Sequence, residues 1–245
     1  ALINADGTVR WNKQGATAIT NLAAAKVAQN YVCTFIHTGA AATSGVQWRS
    51  LTDGSIVQDI YGLGQAVSNP DVASIAVSQT GDRAACAYST GFIGWRNLYI
   101  EQHHRTSGRL WSVNTGLQAS NLPCVSKLGV DKDCGYTILG GKGDVEGNGY
   151  NYNRCVVYDS TGLVVGTPWA RSSGSNNTYF GVCMSPDGKQ AGAYEDFGAT
   201  YTLHRIIVVP YTDGTTTLAA KGKGIDITDD DLYYMLGAEN GTLYC

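Results

Sequence analysis

NADGTVRW (residues 4–11), LTDGSIVQ (51–58), RTSGRLWSV (105–113), DSTGLVVG (159–166) and YTDGTTTL (211–218) are five versions of one phrase. Each is a Thr/Ser/Asp-rich tight turn that ends in glycine and runs into a short β-type segment. The glycines are Gly7, Gly54, Gly108, Gly162 and Gly214. Asp-Gly or Ser-Gly between two such segments is a strong hairpin signal, because glycine accepts positive φ without a steric penalty. The copies recur about every fifty residues, and in a strand-rich chain that period points to propeller blades. The spacing predicts an all-β fold, a five-bladed β-propeller of four-stranded antiparallel blades.

Working outward from each turn gives the other strands. One blade spans 19–64, with LAAAKVA, YVCTFIHT, VQWRSL and SIVQDIY. The next spans 70–118, with ASIAVS, RAACAYS, NLYIEQH and RLWSV. A third covers 122–170 and takes LVVG as its outermost strand; a fourth covers 178–222. Period-two alternation or short β-branched runs mark most of these segments. Residues 1–15 hold only an outer hairpin. The missing inner pair is expected in 228–245, so the two ends of the chain are expected to complete one blade and close the ring.

Composition agrees with a turn-rich β protein. The 245 residues are 43% hydrophobic and 15% charged, with 31 glycines and a net charge of −3. That charge balance lacks the basic footprint of a nucleic-acid binder. No apolar run approaches the roughly 20 residues of a membrane span, and no charged-then-apolar leader is visible. A mature secreted product and an excised segment both fit. The seven cysteines have no CxxC spacing, against a zinc ribbon. Cys33, Cys86, Cys134 and Cys245 are expected at matching places in the second strand of their blades, as small core residues. Most cysteines are read this way, with a disulfide or two as the alternative in a secreted chain.

The phrases GVCMSPDGKQAGAY (181–194) and ASIAVSQTGDRAACAY (73–88) resemble the inner hairpin of β-propeller repeats of the WD40-like or TolB-like kind, although the WD dipeptide is absent. With strands lettered A to D from the channel outward, the resemblance places A–B and C–D turns on one face and B–C and D–A loops on the other. The first set is short and repetitive, the second long and varied. Variable loops on a rigid scaffold are where binding residues concentrate.

The longest B–C loop, GGKGDVEGNGYNYN, contains Asp144, Glu146 and Asn148 in alternation before Gly149. This resembles the first half of a calcium-binding loop, and alternate oxygens suit a hard cation. It departs from that pattern with Glu at the third position and Cys155 at the twelfth. Tyr150, Tyr152 and Asn148 combine aromatic faces with amides, as neutral sugars require. Trp48, Trp95 and Trp169 are expected near the same face, whereas Trp11 and Trp111 are expected between blades. A polar ring of Asn21, Asp71, Asn121, Asn177 and Asp231 is expected where A strands begin.

The leading expectation is an extracellular or surface recognition module that binds a glycan or cell-surface ligand, through Tyr150, Tyr152, Asn148 and Trp95, with calcium at Asp144, Glu146 and Asn148. It has neither a nucleic-acid partner nor a membrane span. One alternative is a glycoside hydrolase, a class to which some five-bladed propellers belong, with Asp71 and Asp231 around the funnel and Glu195 and Asp196 as further candidates, although the inner-strand interiors are apolar or small and only their entries are acidic. The other is a self-assembling structural component of a fibre, sheath or virion. His103 and His104, adjacent on a strand, point to opposite faces and do not make a joint metal site. His37 and His204 are expected in or near B–C loops.

Overall fold

The four turn glycines Gly7, Gly54, Gly108 and Gly162 have φ of 84°, 71°, 83° and 84°, the left-handed conformation that the hairpin phrase requires. Their turns are braced in a common way. The Thr8 N–H and hydroxyl both donate to Asp6 Oδ1, at 2.9 and 2.6 Å. Ser55 does the same to Asp53, and Thr161 to Asp159. An aspartate that bonds the backbone two residues on is the local reason the chain reverses here.

The computed structural model describes residues 2–12, 21–37, 42, 44–64, 73–89, 96–119, 127–143, 152–165, 169–172, 180–196, 201–210, 216–220, 225–227, 236–237 and 243–244. Within them the chain is all-β. Strands β1 (Leu2–Ile3) and β2 (Val9–Trp11) form a hairpin. The first four-stranded sheet is β3 (Asn21–Val27), β4 (Tyr31–His37), β5 (Gly45–Ser50) and β6 (Ile56–Tyr61), paired antiparallel in chain order. The second is β7 (Ala73–Val77), β8 (Arg83–Ser89), β9 (Arg96–His104) and β10 (Gly108–Ala119). The third is β11 (Lys127–Val130), β12 (Tyr136–Gly143), β13 (Tyr152–Asp159) and β14 (Trp169–Ser172). One bridge, Gln118 with Lys142, ties the second and third sheets.

The fourth sheet is β15 (Phe180–Met184), β16 (Gln190–Asp196), β17 (Tyr201–Pro210) and β18 (Thr216–Ala220), with β19 (Ile225–Ile227) pairing the other end of β17. A last hairpin joins β20 (Leu236–Gly237) to β21 (Leu243–Tyr244). The first strands of successive sheets lie side by side: β3 by β7, β7 by β11, β11 by β15, and β15 by β20.

Two expectations are corrected. LVVG is not a full outer strand: only Val164 bridges to Tyr158, and pairing with β13 resumes at β14. Trp169 is therefore a strand residue, opposite Cys155. His204 lies in β17, opposite Ala193 and three residues past the strand's first residue, close to the B–C connection as expected. Cys134 is not in a second strand. It occupies the turn before β12 with φ of 54°, the place that Gly81 (83°) and Gly188 (71°) fill in the neighbouring sheets. Its likeness in sequence position to Cys33 and Cys86 is not a likeness of register.

Alternation along the strands builds three layers of core between sheets. Ala84, Cys86 and Tyr88 of β8 face the first sheet, where they meet Cys33, Phe35, Val46, Trp48 and Leu63. Ala85 and Ala87 face the third sheet with Leu98, Ile100 and Trp111, meeting Leu139, Val156 and Tyr158. Cys155, Val157 and Ile138 then face Val182, Met184 and Ala191 of the fourth. Alanine and cysteine in the second strand let the sheets approach closely. Cys33, Cys86 and Cys134 carry free thiols and are buried, as are Cys155 and Cys183.

The turns between first and second strands are linked to each other by their backbones. The Gln29 N–H donates to Gln79 O at 2.9 Å, Gln79 N–H to Lys132 O at 2.7 Å, and Lys132 N–H to Pro186 O at 2.9 Å. Proline has no N–H, so this series cannot continue past Pro186 through the same donor. Asp131 opens the third of these turns and accepts the N–H groups of Asp133, Gly135 and Tyr136 at 2.8–3.0 Å.

Candidate functional site

Asp144, Glu146, Asn148, Tyr150 and Trp95 lie outside the described residues, as do Asp71 and Asp231. Tyr152 is the first residue of β13, opposite Gly143 and Ser172. Asn21 and His37 pair at the end of the first sheet away from its first turn. Glu195 and Asp196 pair with Thr202 and Tyr201 at the matching end of the fourth. Trp48 is a correction. It is 0% exposed and its Nε1–H donates to Gly81 O at 2.8 Å, so it is an inter-sheet anchor on the turn side and not a ligand platform. Trp111 and Trp11 sit as expected. Trp111 packs on Tyr158, ring centroids 6.0 Å apart, and Trp11 Nε1–H donates to Leu51 O at 3.0 Å.

The described residues do bring together one cluster of chemically capable side chains, in the middle of the second sheet. Strand β9 carries Leu98 and Ile100 on the face toward the third sheet. Tyr99, Glu101 and His103 therefore point the other way, toward the first sheet. Strand pairing sets Cys86 directly opposite Glu101, and Glu101 opposite Ser112, in one row across three strands. Glu101, His103, Cys86 and Tyr88 are all buried with 0% exposure.

The carboxylate is thoroughly engaged. Glu101 Oε1 accepts hydrogen bonds from the Tyr88 hydroxyl, from Ser112 Oγ at 3.0 Å and from the Gly64 N–H at 2.5 Å. Its Oε2 lies 3.1 Å from His103 Nε2. Gly64 belongs to the connection after β6, so the first sheet supplies one donor to an acid of the second. Only glycine fits there: a Cβ would come within 2.6 Å of Ser112 Oγ and 2.9 Å of Glu101 Oε1. Burial acts to raise the Glu101 pKa. The hydrogen bonds from His103 and Tyr88, the His103 charge and the Gly64 N–H outweigh it and hold the group below the usual carboxylate value.

Cysteine, histidine and glutamate in one cluster suggest a nucleophile with its base. The environment opposes that use. Burial, with the Glu101 charge beside it, pushes the Cys86 thiol well above its ordinary value. A reactive cysteine needs the reverse, a lowered pKa and an exposed sulfur. The three donor atoms of Cys86, Glu101 and His103 lie within 4.8 Å of one another. The arrangement is thus suited to holding charge, a proton or an ion between sheets.

The sequence did carry a signal for this site. Within NLYIEQHH, Glu101 and His103 are two apart, so a strand puts both on one face. The adjacent pair His103–His104 masks that spacing in the letters. Those two do diverge: His104 Nδ1 accepts the Thr106 and Ser107 N–H groups at the turn, while His103 is buried.

Successive four-stranded antiparallel sheets with neighbouring inner strands and side chains packed face to face define a β-propeller, and the chain is a protein of that class. Similar solved structures include prolyl oligopeptidase B from Galerina marginata bound to a 25mer macrocyclization substrate, 14% identical with a TM-score of 0.48. The match covers 88% of this chain and 32% of that one, so the chain spans about a third of the peptidase. The Dos1 propeller is 12% identical with a TM-score of 0.45, over 90% of this chain and 50% of that one. These likenesses concern the fold alone. No protein-family model matches the sequence, and no curated protein does. Among the described residues no helix is long and apolar enough to cross a membrane.

Proposed function

We propose that the chain is a five-bladed propeller serving as an extracellular or surface recognition module, with glycans as its ligand class. The observation that carries this reading is the asymmetry of its two faces. The A–B connections are confined to 28–30, 78–82, 131–135 and 185–189, and backbone hydrogen bonds link each to the next. Length and sequence vary instead in the B–C and D–A connections, such as 62–72 and 144–151. A rigid rim that supports variable loops is the arrangement of a binding scaffold. The longest B–C loop supplies Tyr150 and Asn148 for a sugar, with Tyr152 at the start of β13 and Trp95 from the preceding blade. It also supplies Asp144, Glu146 and Asn148 for calcium.

A glycan array probed with calcium and again with chelator tests this. Binding is expected in calcium, and a Tyr150→Ala/Tyr152→Ala variant is expected to bind roughly tenfold more weakly, as loss of aromatic stacking area implies. Binding that survives chelator would remove the metal from the site. No binding in either condition would remove the glycan reading.

Ring closure belongs to the same proposal: β1 and β2 are the outer strands, and β20 and β21 the inner strands, of one blade. Two observations support it. β20 lies beside β15 as each inner strand lies beside the last. Trp11 of β2 reaches the third-to-fourth-strand turn of the first sheet at Leu51. Trp111 of β10 meets the equivalent turn of the third sheet at Gly162, where a Cβ would lie 2.9 Å from its ring. Deletion of residues 1–12 is expected to lower the melting temperature by several degrees, at ~2–4 °C per kcal/mol. An unchanged transition would mean that the two hairpins do not share a blade.

A further inference from the structure

We propose that Cys86, Glu101 and His103 form a closed binding site for zinc(II), buried between the first two sheets and separate from the loop face. Sulfur, nitrogen and oxygen donors together are a zinc set, and three of them at mutual distances within 4.8 Å need only about an ångström of adjustment to reach tetrahedral ligand spacing. The scaffold is strand backbone. Cys86 and Glu101 are a directly paired couple on β8 and β9, and His103 is two residues beyond Glu101 on the same face.

The surrounding hydrogen bonds already do what outer-shell partners of a metal ligand do. Three donors, from Tyr88, Ser112 and Gly64, fix Oε1 of the carboxylate, and Oε2 remains on the side of the imidazole. The His103 ring has capacity left over. Its Nδ1 is buried and has no hydrogen-bond partner, so the imidazole uses one nitrogen only. Nε2 is the nitrogen turned to the carboxylate and is the one a metal would engage; the ring proton then rests on Nδ1.

Charge also favours the ion. A thiolate and a carboxylate give two negative charges, which one Zn²⁺ neutralises with a neutral imidazole as third ligand. The fourth position falls to a water molecule. Zn²⁺ entry displaces the Cys86 thiol proton to solvent, together with any second proton carried by the imidazole; no electron moves. The ion ties second and third strands of one blade where the first sheet presses on them through Gly64, so its role is to stiffen the joint between two blades. This inference does not rest on the glycan reading.

Because the site is closed, metal must enter during folding. The whole chain would be refolded with one equivalent of Zn²⁺ or Co²⁺, freed of excess by gel filtration, and analysed for metal content and for a cobalt–thiolate charge-transfer band. About one ion per chain, a thiolate band and a raised melting temperature are expected. Cys86→Ala should abolish the band and weaken binding by at least about tenfold. Cys155→Ala, at a buried sulfur in another core layer, should leave both intact. Cys86→Ala places alanine beside Ala85 and Ala87 and is expected to fold; His103→Gln provides the second test. Wild-type protein that retains no ion, or Cys86→Ala and His103→Gln variants that retain it unchanged, would overturn the proposal.

Discussion

Trp48→Ala is expected to lower stability by about 3–5 kcal/mol, the range for removing a fully buried large aromatic side chain. The indole is 0% exposed and fills the layer between the first two sheets, against Phe35 and Val46 on one side and Ile75, Ala84 and Tyr88 on the other. Its Nε1–H also donates to Gly81 O in the turn of the next sheet, a carbonyl that the Cys33 thiol approaches at 3.8 Å. Two losses therefore coincide, a cavity and a hydrogen bond between sheets. Trp48→Phe separates them: it keeps most of the volume and is expected to cost about 1–2 kcal/mol. Urea unfolding of both variants measures the difference. A Trp48→Ala protein within 1 kcal/mol of wild type would mean that the indole does not anchor the two sheets.

The second large effect is expected at Glu101. In metal-free protein, Glu101→Ala should cost about 3–5 kcal/mol, because it removes the carboxylate that faces buried His103 and that accepts from the Tyr88 hydroxyl, Ser112 Oγ and Gly64 N–H. The diagnostic is the double variant with His103→Leu. Once the imidazole is gone, the penalty for its missing partner goes too, so the pair should be less destabilised than the sum of its single changes. Strict additivity would show that Glu101 and His103 do not interact. Chelator in the buffer keeps this measurement independent of zinc.

Much of the fold was legible because a tight turn is a local event. The conformation of Gly7, Gly54, Gly108 and Gly162 is set by their neighbours, and the aspartate or threonine beside each is visible in the letters. Strand identity followed from period two, which depends only on the side-chain direction of extended chain. Register did not follow. Cys134 reads like Cys33 and Cys86 but sits in a turn at positive φ, since nothing local says that cysteine has taken a glycine position. The outermost strand of the third sheet also broke at Val164 and resumed at Trp169, and pairing with β13 decides where.

For the sites the division is sharper. The loop reading at Asp144–Tyr152 rests on composition alone, since residues 144–151 lie outside the described residues. The buried cluster was half readable. Glu101 and His103 share a face by spacing alone, but Cys86 is fifteen positions away and joins them only through strand pairing. Trp48 shows the opposite error, a side chain assigned to a surface by its place in a segment and drawn into the core by the sheet packed over it.

The sequence by itself determined that this chain is all-β, that it repeats, and where it turns, because those properties depend on residues within reach of one another along the backbone. The tertiary structure alone decided which faces are buried, which glycine must approach an acid on the next sheet, and that Cys86, Tyr88, Glu101, His103 and Ser112 meet. Those depend on which sheet packs on which, a choice made by the sum of many weak contacts between residues far apart in the chain and therefore not written in any single stretch of it.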